Sequence, residues 1–153
     1  MGQQQLLLLV LGIMIVAIAI VVGIFAFQTN MKKANADALV SDGVRLANLA
    51  QAWKLKPAAL GGQPESVGEW ANLKNDPDNF VNFSFSDLAL NDPYVTLNGT
   101  FTIHNPEALD MGLVLNGVNE QFGNTVTITV DGVHDHDIIV AISSTEVEEI
   151  PAP

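Results

Sequence analysis

Residues 6–27 read LLLLVLGIMIVAIAIVVGIFAF, and this apolar run decides how the N-terminal part of the chain folds. It contains no charged side chain, and 16 of its 22 residues are Leu, Ile, Val or Phe. As an α-helix it would extend for about 33 Å at about 1.5 Å per residue, enough to cross the hydrocarbon core of a bilayer. We therefore predict a membrane-spanning helix over residues 6–27.

The residues before this run distinguish it from a cleaved secretory signal. Such a signal has a basic start, an apolar run of about 7–15 residues and a small-residue cleavage site. Here the start is the uncharged Gln3-Gln4-Gln5, the apolar run is longer, and no clear Ala-x-Ala site follows. The sequence favours a retained helix over a cleaved signal.

The helical pattern continues past Phe27 as an amphipathic stripe. Apolar residues recur near spacings of three, four and seven, at Ala38, Leu39, Leu46, Leu49 and Trp53. Gly43 weakens the helix locally, by about 1 kcal/mol relative to alanine, and Pro57 ends it at about Lys56. We predict one helix over residues 1–56, apolar all round in its first half and on one side in its second. A linker over residues 57–79 follows.

After residue 79 the periodicity changes to two, which predicts a β-rich C-terminal domain over residues 80–153. The predicted strands are 80–85, 94–103, 111–115, 125–130 and 138–142, with turns at Asn116-Gly117 and Asp131-Gly132. A core this small is marginal alone, so one sheet face should pack on the amphipathic half of the helix, with Trp53 and Trp70 as anchors. The predicted fold class is α+β, a long N-terminal helix packed against a small antiparallel β-sheet domain.

Charge is unevenly divided along the chain. Residues 1–56 carry a net charge of +3 and the remainder −14, which together give the −11 of the whole protein. A domain this acidic is repelled by phosphate backbones, so we expect no nucleic-acid partner. The chain has no cysteine, which excludes disulfides, thiolate metal sites and cysteine nucleophiles.

The residues offer little catalytic chemistry. His134-Asp135-His136-Asp137 is the one cluster of metal-ligand types, but two histidines alone do not complete a site, and an exposed turn is the favoured interpretation. No nucleophile elbow or Gly-rich phosphate loop is present in the sequence. We predict no catalytic residue, no cofactor and no metal, and expect that the protein is not an enzyme.

Two triplets match the N-glycosylation acceptor pattern, beginning at Asn82 and Asn98. Such triplets also occur by chance. They make Asn82 and Asn98 candidate glycosylation sites on an exposed surface.

Three stretches resemble type IV pilin-like proteins of bacteria, the pilin and pseudopilin superfamily. They are MGQQQLLLLVLGIMIVAIAIVVGI at the start, ADALVSDGVRLANLAQAW at residues 36–53, and KPAALGG at residues 56–62 with the later Gly68-Glu69-Trp70. The resemblance implies a helix in the core of a filament and a C-terminal domain outside it. It also implies insertion in the inner membrane, then extraction and polymerisation into a homopolymer by an ATP-driven assembly machinery, giving an extracellular, cell-surface filament.

On this interpretation the polymerisation core is formed by one stripe of the apolar run: Leu6, Leu9, Val10, Ile13, Val16, Ile20, Ile24 and Phe27. The candidate processing site is Gly2-Gln3. Cleavage there would place Leu7 fifth, where such pilins carry a glutamate, and no glutamate lies in the span.

The residues also leave other interpretations open. Lys32 and Lys33 follow the span, so the positive-inside rule would place the C-terminal side in the cytoplasm, whereas the resemblance implies the opposite side. The chain could also be a minor pseudopilin of a secretion system. A third interpretation is a single-span membrane protein whose β domain binds a ligand or partner.

Overall fold

The computed structural model describes residues 2–64, 80, 83–104 and 112–144. Its first element is one α-helix, α1, over Gly2–Leu55. The helix ends two residues before Pro57, as the sequence predicts, because the residue before proline is disfavoured in helical conformation. A short 3₁₀ turn, Ala58–Leu60, follows, and Gly61 closes it at a φ of 82°, which a glycine adopts without strain.

The chain divides into two compact units, Met1–Ala34 and Asn35–Pro153. In the first unit the described residues are helical throughout, and those from residue 2 to residue 31 are all exposed. The second unit contains the rest of α1 and all the described strands.

The second unit is built on a five-stranded antiparallel sheet in which the strands follow one another in sequence order. The strands are β1 (Tyr94–Val95), β2 (Thr100–His104), β3 (Leu113–Asn119), β4 (Asn124–Val130) and β5 (Ile138–Ser144). This meander leaves β1 and β5 as the two edge strands. Residues 35–55 of α1 pack against one face of the sheet, so the α+β prediction is confirmed.

The core of this unit lies between α1 and that sheet face. β4 alternates strictly between buried and half-buried residues, as expected of a strand with one face on the core. The buried apolar residues of the core are Leu39, Leu46, Ala47, Ala50, Trp53, Phe80, Phe83, Phe85, Phe101, Leu113, Leu115, Val126, Ile128 and Val130. Trp53 is an anchor as predicted: its ring meets that of Phe83 edge-on at 5.2 Å. Trp70 lies outside the described residues.

Among the glycines of α1, Gly43 lies closest to the sheet. A Cβ atom there would overlap Cδ1 of Ile128 and lie 3.3 Å from Cε1 of Phe101. The sequence treats this glycine only as a weak position in the helix. In the structure it makes room for two buried side chains of the sheet.

The strands partly depart from the sequence prediction. Those over 125–130 and 138–142 are confirmed and extend slightly further, as β4 and β5. The predicted strand 94–103 is wrong as a single strand, because it folds into a hairpin. Thr96 and Gly99 form its turn, with Thr96 N–H donating to Gly99 O at 2.8 Å.

The predicted turn at Asn116-Gly117 is also wrong, because both residues lie inside β3. Gly117 pairs with Phe101 of β2, and a Cβ there would be 2.5 Å from Cε1 of the Phe101 ring. The Phe101 ring covers Gly117, so this glycine is needed for packing between β2 and β3 and does not form a turn.

The predicted strand 80–85 is wrong for the residues that the structure describes there. Phe85 begins a 3₁₀ helix, Phe85–Leu88, capped by Ser84 and Asp87, and Ser84 N–H donates to Asp87 Oδ2 at 2.8 Å. The alternation of phenylalanines still reports burial correctly, since Phe80, Phe83 and Phe85 are all in the core.

Candidate functional site

The candidate functional surface is the apolar side of α1 in the first unit. All eight predicted polymerisation residues are there, with 46–67% of each side chain exposed. With 100° between successive helical residues, these eight lie on one side of the helix. Residues on the other sides, such as Leu8, Ile15 and Val22, are equally exposed. The surface is therefore apolar around its whole circumference.

This surface has the dimensions and composition of a membrane span. By length and composition α1 is one helix that is able to cross a bilayer, near the N-terminus. Thr29 follows the apolar run by two residues. Its hydroxyl donates a hydrogen bond to the backbone carbonyl of Phe25 at 2.9 Å, within the helix itself. A membrane-anchoring helix is consistent with these properties.

The energetic weight of the exposed side chains is large. Full burial of a Val, Leu, Ile or Phe side chain contributes about 1.5–3 kcal/mol, so the eight stripe residues alone could contribute roughly 12 kcal/mol or more. The buried core that the described residues form begins only at Leu39. An apolar run of this kind is consistent with a membrane anchor or a signal sequence.

A cluster of amides fixes two sheet turns to α1 at the start of the second unit. Asn35 Nδ2 donates to the backbone carbonyl of Asn98 at 3.0 Å, and Asn119 Nδ2 donates to the same carbonyl at 2.6 Å. Asn124 Nδ2 donates to Asn35 Oδ1 at 3.0 Å, and Asn98 Nδ2 donates to Asp42 Oδ2 at 2.8 Å. These bonds hold the β1–β2 and β3–β4 turns against the helix.

A second polar anchor lies sixteen positions later on α1, at Gln51. Its side chain is buried, and its Nε2 donates to the carbonyls of Gly132 and His134, at 3.0 Å each. Two backbone carbonyls of the β4–β5 loop are thereby satisfied by one side chain of the helix. The amide cluster and Gln51 together fix the register of the helix on the sheet, because each requires one particular residue at its place.

The histidine-rich loop forms a turn. Asp135–Asp137 is a short 3₁₀ helix, with His134 before it capped by the Asp137 carboxylate at 2.8 Å. The rings of His134 and His136 stack at 5.4 Å. Within the described ranges no group of three or more His, Cys, Asp or Glu residues could hold a metal ion.

The remaining predicted positions are placed as follows. Asn98 lies in the β1–β2 turn, where it is half-buried and its Nδ2 donates to Asp42 Oδ2. Asn82 lies outside the described residues. Gly2 and Gln3 begin α1. Glycosylation and processing stay predictions.

Sequence reasoning missed Asn35, Gln51 and the packing role of Gly43. A signal was present for Gly43, since a glycine on the apolar side of a predicted helix often marks a close approach. Asn35 and Gln51 gave no such signal, because polar residues at those positions are normal on a solvated helix face.

The class of protein that these features define is an α+β protein with an apolar N-terminal helix. Comparisons with protein-family models, curated proteins and solved structures gave no match to this chain.

Proposed function

We propose that this chain is a structural, self-assembling subunit of an extracellular filament of the type IV pilus kind. The helices would bundle in the core of the filament and the β domains would form its outer layer. One observation carries the proposal: residues 2–31 of α1 are exposed on all sides, although residues 6–27 are apolar.

A helix that is apolar all round must be buried all round. Lipid of the inner membrane would bury it before assembly. After extraction by a pilus assembly machinery, only copies of the same helix offer an equivalent apolar environment. Packing side by side requires no charge to be desolvated, because the run from residue 6 to residue 27 contains none.

The second half of α1 supports the same proposal. A lone membrane anchor needs only about 20 apolar residues, whereas α1 has 54 residues. Its second half is part of the core of the β domain and is fixed there by the amide cluster and Gln51. These contacts fix residues 35–55 of α1 to the sheet of the same copy.

The test is electron microscopy of material sheared from cells that express the chain, with mass spectrometry of its N-terminus. We expect thin fibres made of this subunit, and the mass would report whether Met1-Gly2 is removed. Val16→Arg should abolish the fibres, because it places a charge in the helical bundle. Leu55→Arg is the matched control, since Leu55 lies on the same helix and is 63% exposed but is outside the apolar run.

Insertion into the membrane should survive Val16→Arg. The 16 large apolar residues favour insertion by about 5–10 kcal/mol, and one central arginine costs about 2.5–3.5 kcal/mol. A Val16→Arg protein found in the membrane fraction and still forming normal fibres would contradict the proposal.

A second candidate is a single-span membrane protein with a surface binding domain, which the membrane-spanning capacity of α1 also favours. This candidate predicts membrane-fraction protein without fibres, monomeric in detergent at every concentration. A minor pseudopilin would instead give few copies in purified surface fibres, so subunit abundance separates it from a major subunit.

A further inference from the structure

The dipeptide Asn-Gly occurs twice in the chain, once in a turn and once inside a strand. Asn98-Gly99 lies in the β1–β2 turn, and Asn116-Gly117 lies within β3. In such a dipeptide the backbone nitrogen of glycine can attack the side-chain amide carbon of asparagine, because glycine has no side chain to obstruct the approach. The attack needs a change of the backbone dihedral angles, so it depends on how firmly the surrounding structure holds the peptide.

The sheet holds Asn116-Gly117 from both sides. Asn116 is paired with Thr102 of β2 and with Thr127 of β4. In a strand with antiparallel neighbours on both sides, the backbone groups alternate between the two ladders, so Gly117 N–H is held in the sheet. The side chain is held as well, since Asn116 Oδ1 accepts a hydrogen bond from Thr127 Oγ1 at 3.0 Å. Gly117 N can therefore reach the side chain of Asn116 only after β3 separates from a neighbouring strand.

The peptide Asn98-Gly99 lies outside the ladders. Gly99 N–H donates to Thr96 Oγ1 at 3.2 Å, which is a long hydrogen bond to a hydroxyl group that rotates. Leu97, next to the dipeptide, is fully exposed, so water reaches the turn. No side chain is tolerated at Gly99, because a Cβ there would lie 2.6 Å from Val118 O. Packing therefore requires a glycine after Asn98, which is the residue that makes the dipeptide reactive.

The carbonyl of the same peptide is polarised by two amide donors. Asn98 O accepts hydrogen bonds from Asn35 Nδ2 at 3.0 Å and from Asn119 Nδ2 at 2.6 Å. The attack begins when Gly99 N loses its proton, and the negative charge that then develops is shared with the carbonyl oxygen of the same peptide. Two fixed donors at that oxygen stabilise this charge, as in an oxyanion hole. The position outside the ladders and the amide donors thus both favour the reaction at Asn98.

We infer that Asn98-Gly99 is a site of spontaneous deamidation, whereas Asn116-Gly117 is protected from it by the sheet. Gly99 N gives its proton to water, forms a bond to Asn98 Cγ and closes a five-membered imide. Asn98 Nδ2 takes up a proton and leaves as ammonia. Water then adds to either carbonyl of the imide, and the ring opens to aspartate or to isoaspartate. The reaction consumes one water, releases one ammonia and needs no oxidant, reductant or cofactor.

The product weakens the attachment of the β1–β2 turn to α1. Asn98 Nδ2 donates to Asp42 Oδ2 at 2.8 Å, and the product has a carboxylate in place of this donor. Two carboxylates at hydrogen-bond distance repel each other. In the isoaspartate the main chain also passes through the former side-chain carbon, which displaces the carbonyl from Asn35 and Asn119. Deamidation therefore releases this turn from the helix irreversibly, whether or not the chain forms a filament.

The test uses the full chain in detergent at neutral pH and physiological temperature, sampled over weeks. Peptide mapping by mass spectrometry reports the mass change from amide to acid at each position, and isoaspartyl methyltransferase labels the isoaspartate. In the folded chain we expect conversion at Asn98 to be faster than at Asn116 by about tenfold or more, because β3 must open locally first. The matched control is the same chain in urea, where the sheet is absent and the two dipeptides should react at similar rates.

Either of two results in the folded chain would overturn the assignment of the site. One is conversion at Asn116 as fast as at Asn98. The other is an intact Asn98 in the folded chain while both dipeptides react in urea, which would show that the hydrogen bonds of the turn block the attack.

The consequence for the turn is tested separately with Asn98→Asp, by hydrogen exchange of the full chain. We expect exchange in the β1–β2 turn to be severalfold faster than in the parent chain, because the bond to Asp42 is lost. Asn116→Asp is the matched control, since it keeps an acceptor for Thr127 Oγ1 and should leave exchange in that turn unchanged. An unchanged turn in Asn98→Asp would overturn the release from the helix.

Discussion

Replacing Gly43 by alanine tests how closely α1 approaches the sheet. The sequence alone predicts a gain, because alanine is favoured over glycine inside a helix by about 1 kcal/mol. The structure predicts the opposite trend. A methyl group at this position would overlap Cδ1 of Ile128 and crowd Cε1 of Phe101, and both side chains are completely buried.

The size of the effect follows from two opposing contributions. Overpacking a well-packed core costs about 1–3 kcal/mol, and the helix-propensity gain offsets about 1 kcal/mol of it. We expect Gly43→Ala to change the free energy of unfolding by between zero and about −2 kcal/mol. Ile128→Val removes the overlapping Cδ1 atom and alone costs about 0.5–1.5 kcal/mol.

The assay is urea unfolding of the full chain in detergent, followed by tryptophan fluorescence, since Trp53 is buried in the same core. In the double variant the alanine should become neutral or stabilising, which gives a favourable coupling energy of about 1–3 kcal/mol between the two sites. A Gly43→Ala protein about 1 kcal/mol more stable than the parent, with no coupling to Ile128→Val, would refute the close approach.

Three further substitutions test other contacts by urea unfolding, with hydrogen exchange as an additional measurement for one of them. Gln51→Leu should lower the free energy of unfolding by about 1–3 kcal/mol, because two loop carbonyls lose their donor. Asn48→Leu, at an exposed position of the same helix, should have little effect. Equal effects of the two substitutions would mean that Gln51 does not anchor the loop. Asn35→Ala should cost about 1–2 kcal/mol through two lost hydrogen bonds, and unchanged hydrogen exchange in the β1–β2 turn would argue against the amide cluster. Phe101→Ala should cost about 3–5 kcal/mol, while Phe25→Ala, exposed in the first unit, should leave the unfolding of the β domain unchanged.

The boundaries of α1 and the two C-terminal strands could be predicted because their signals are local. Pro57 prevents continuation of the helix through its effect on the preceding residues. Residues 125–130 alternate in sequence as they alternate in burial. For such elements the period of the apolar residues and the covalent restrictions of proline are sufficient.

The error at Asn116-Gly117 concerns a residue whose role depends on a distant partner, whereas the errors at 94–103 and 80–85 concern local turns and caps. Asn116-Gly117 has the composition of a turn, but Gly117 faces the Phe101 ring across the strand pair. The stretch 94–103 has the composition of one strand, but Asn98-Gly99 lies in a turn closed by the hydrogen bond from Thr96 N–H to Gly99 O. Pairing between strands decides the case of Gly117, and a single sequence does not show which strands pair.

The features of the candidate functional surface also fall into two groups, those that the sequence determines and those that depend on tertiary contacts. The sequence by itself determined the apolar helix, its length and the acidic character of the C-terminal part of the chain, because composition and period fix hydrophobicity and charge. Only the tertiary structure decided that Gly43 receives Ile128, that Asn35 and Gln51 anchor the helix to the sheet, and that β1 and β5 are the edges. The physical reason is that burial and edge position are properties of the assembled sheet, created by contacts between residues far apart in the chain.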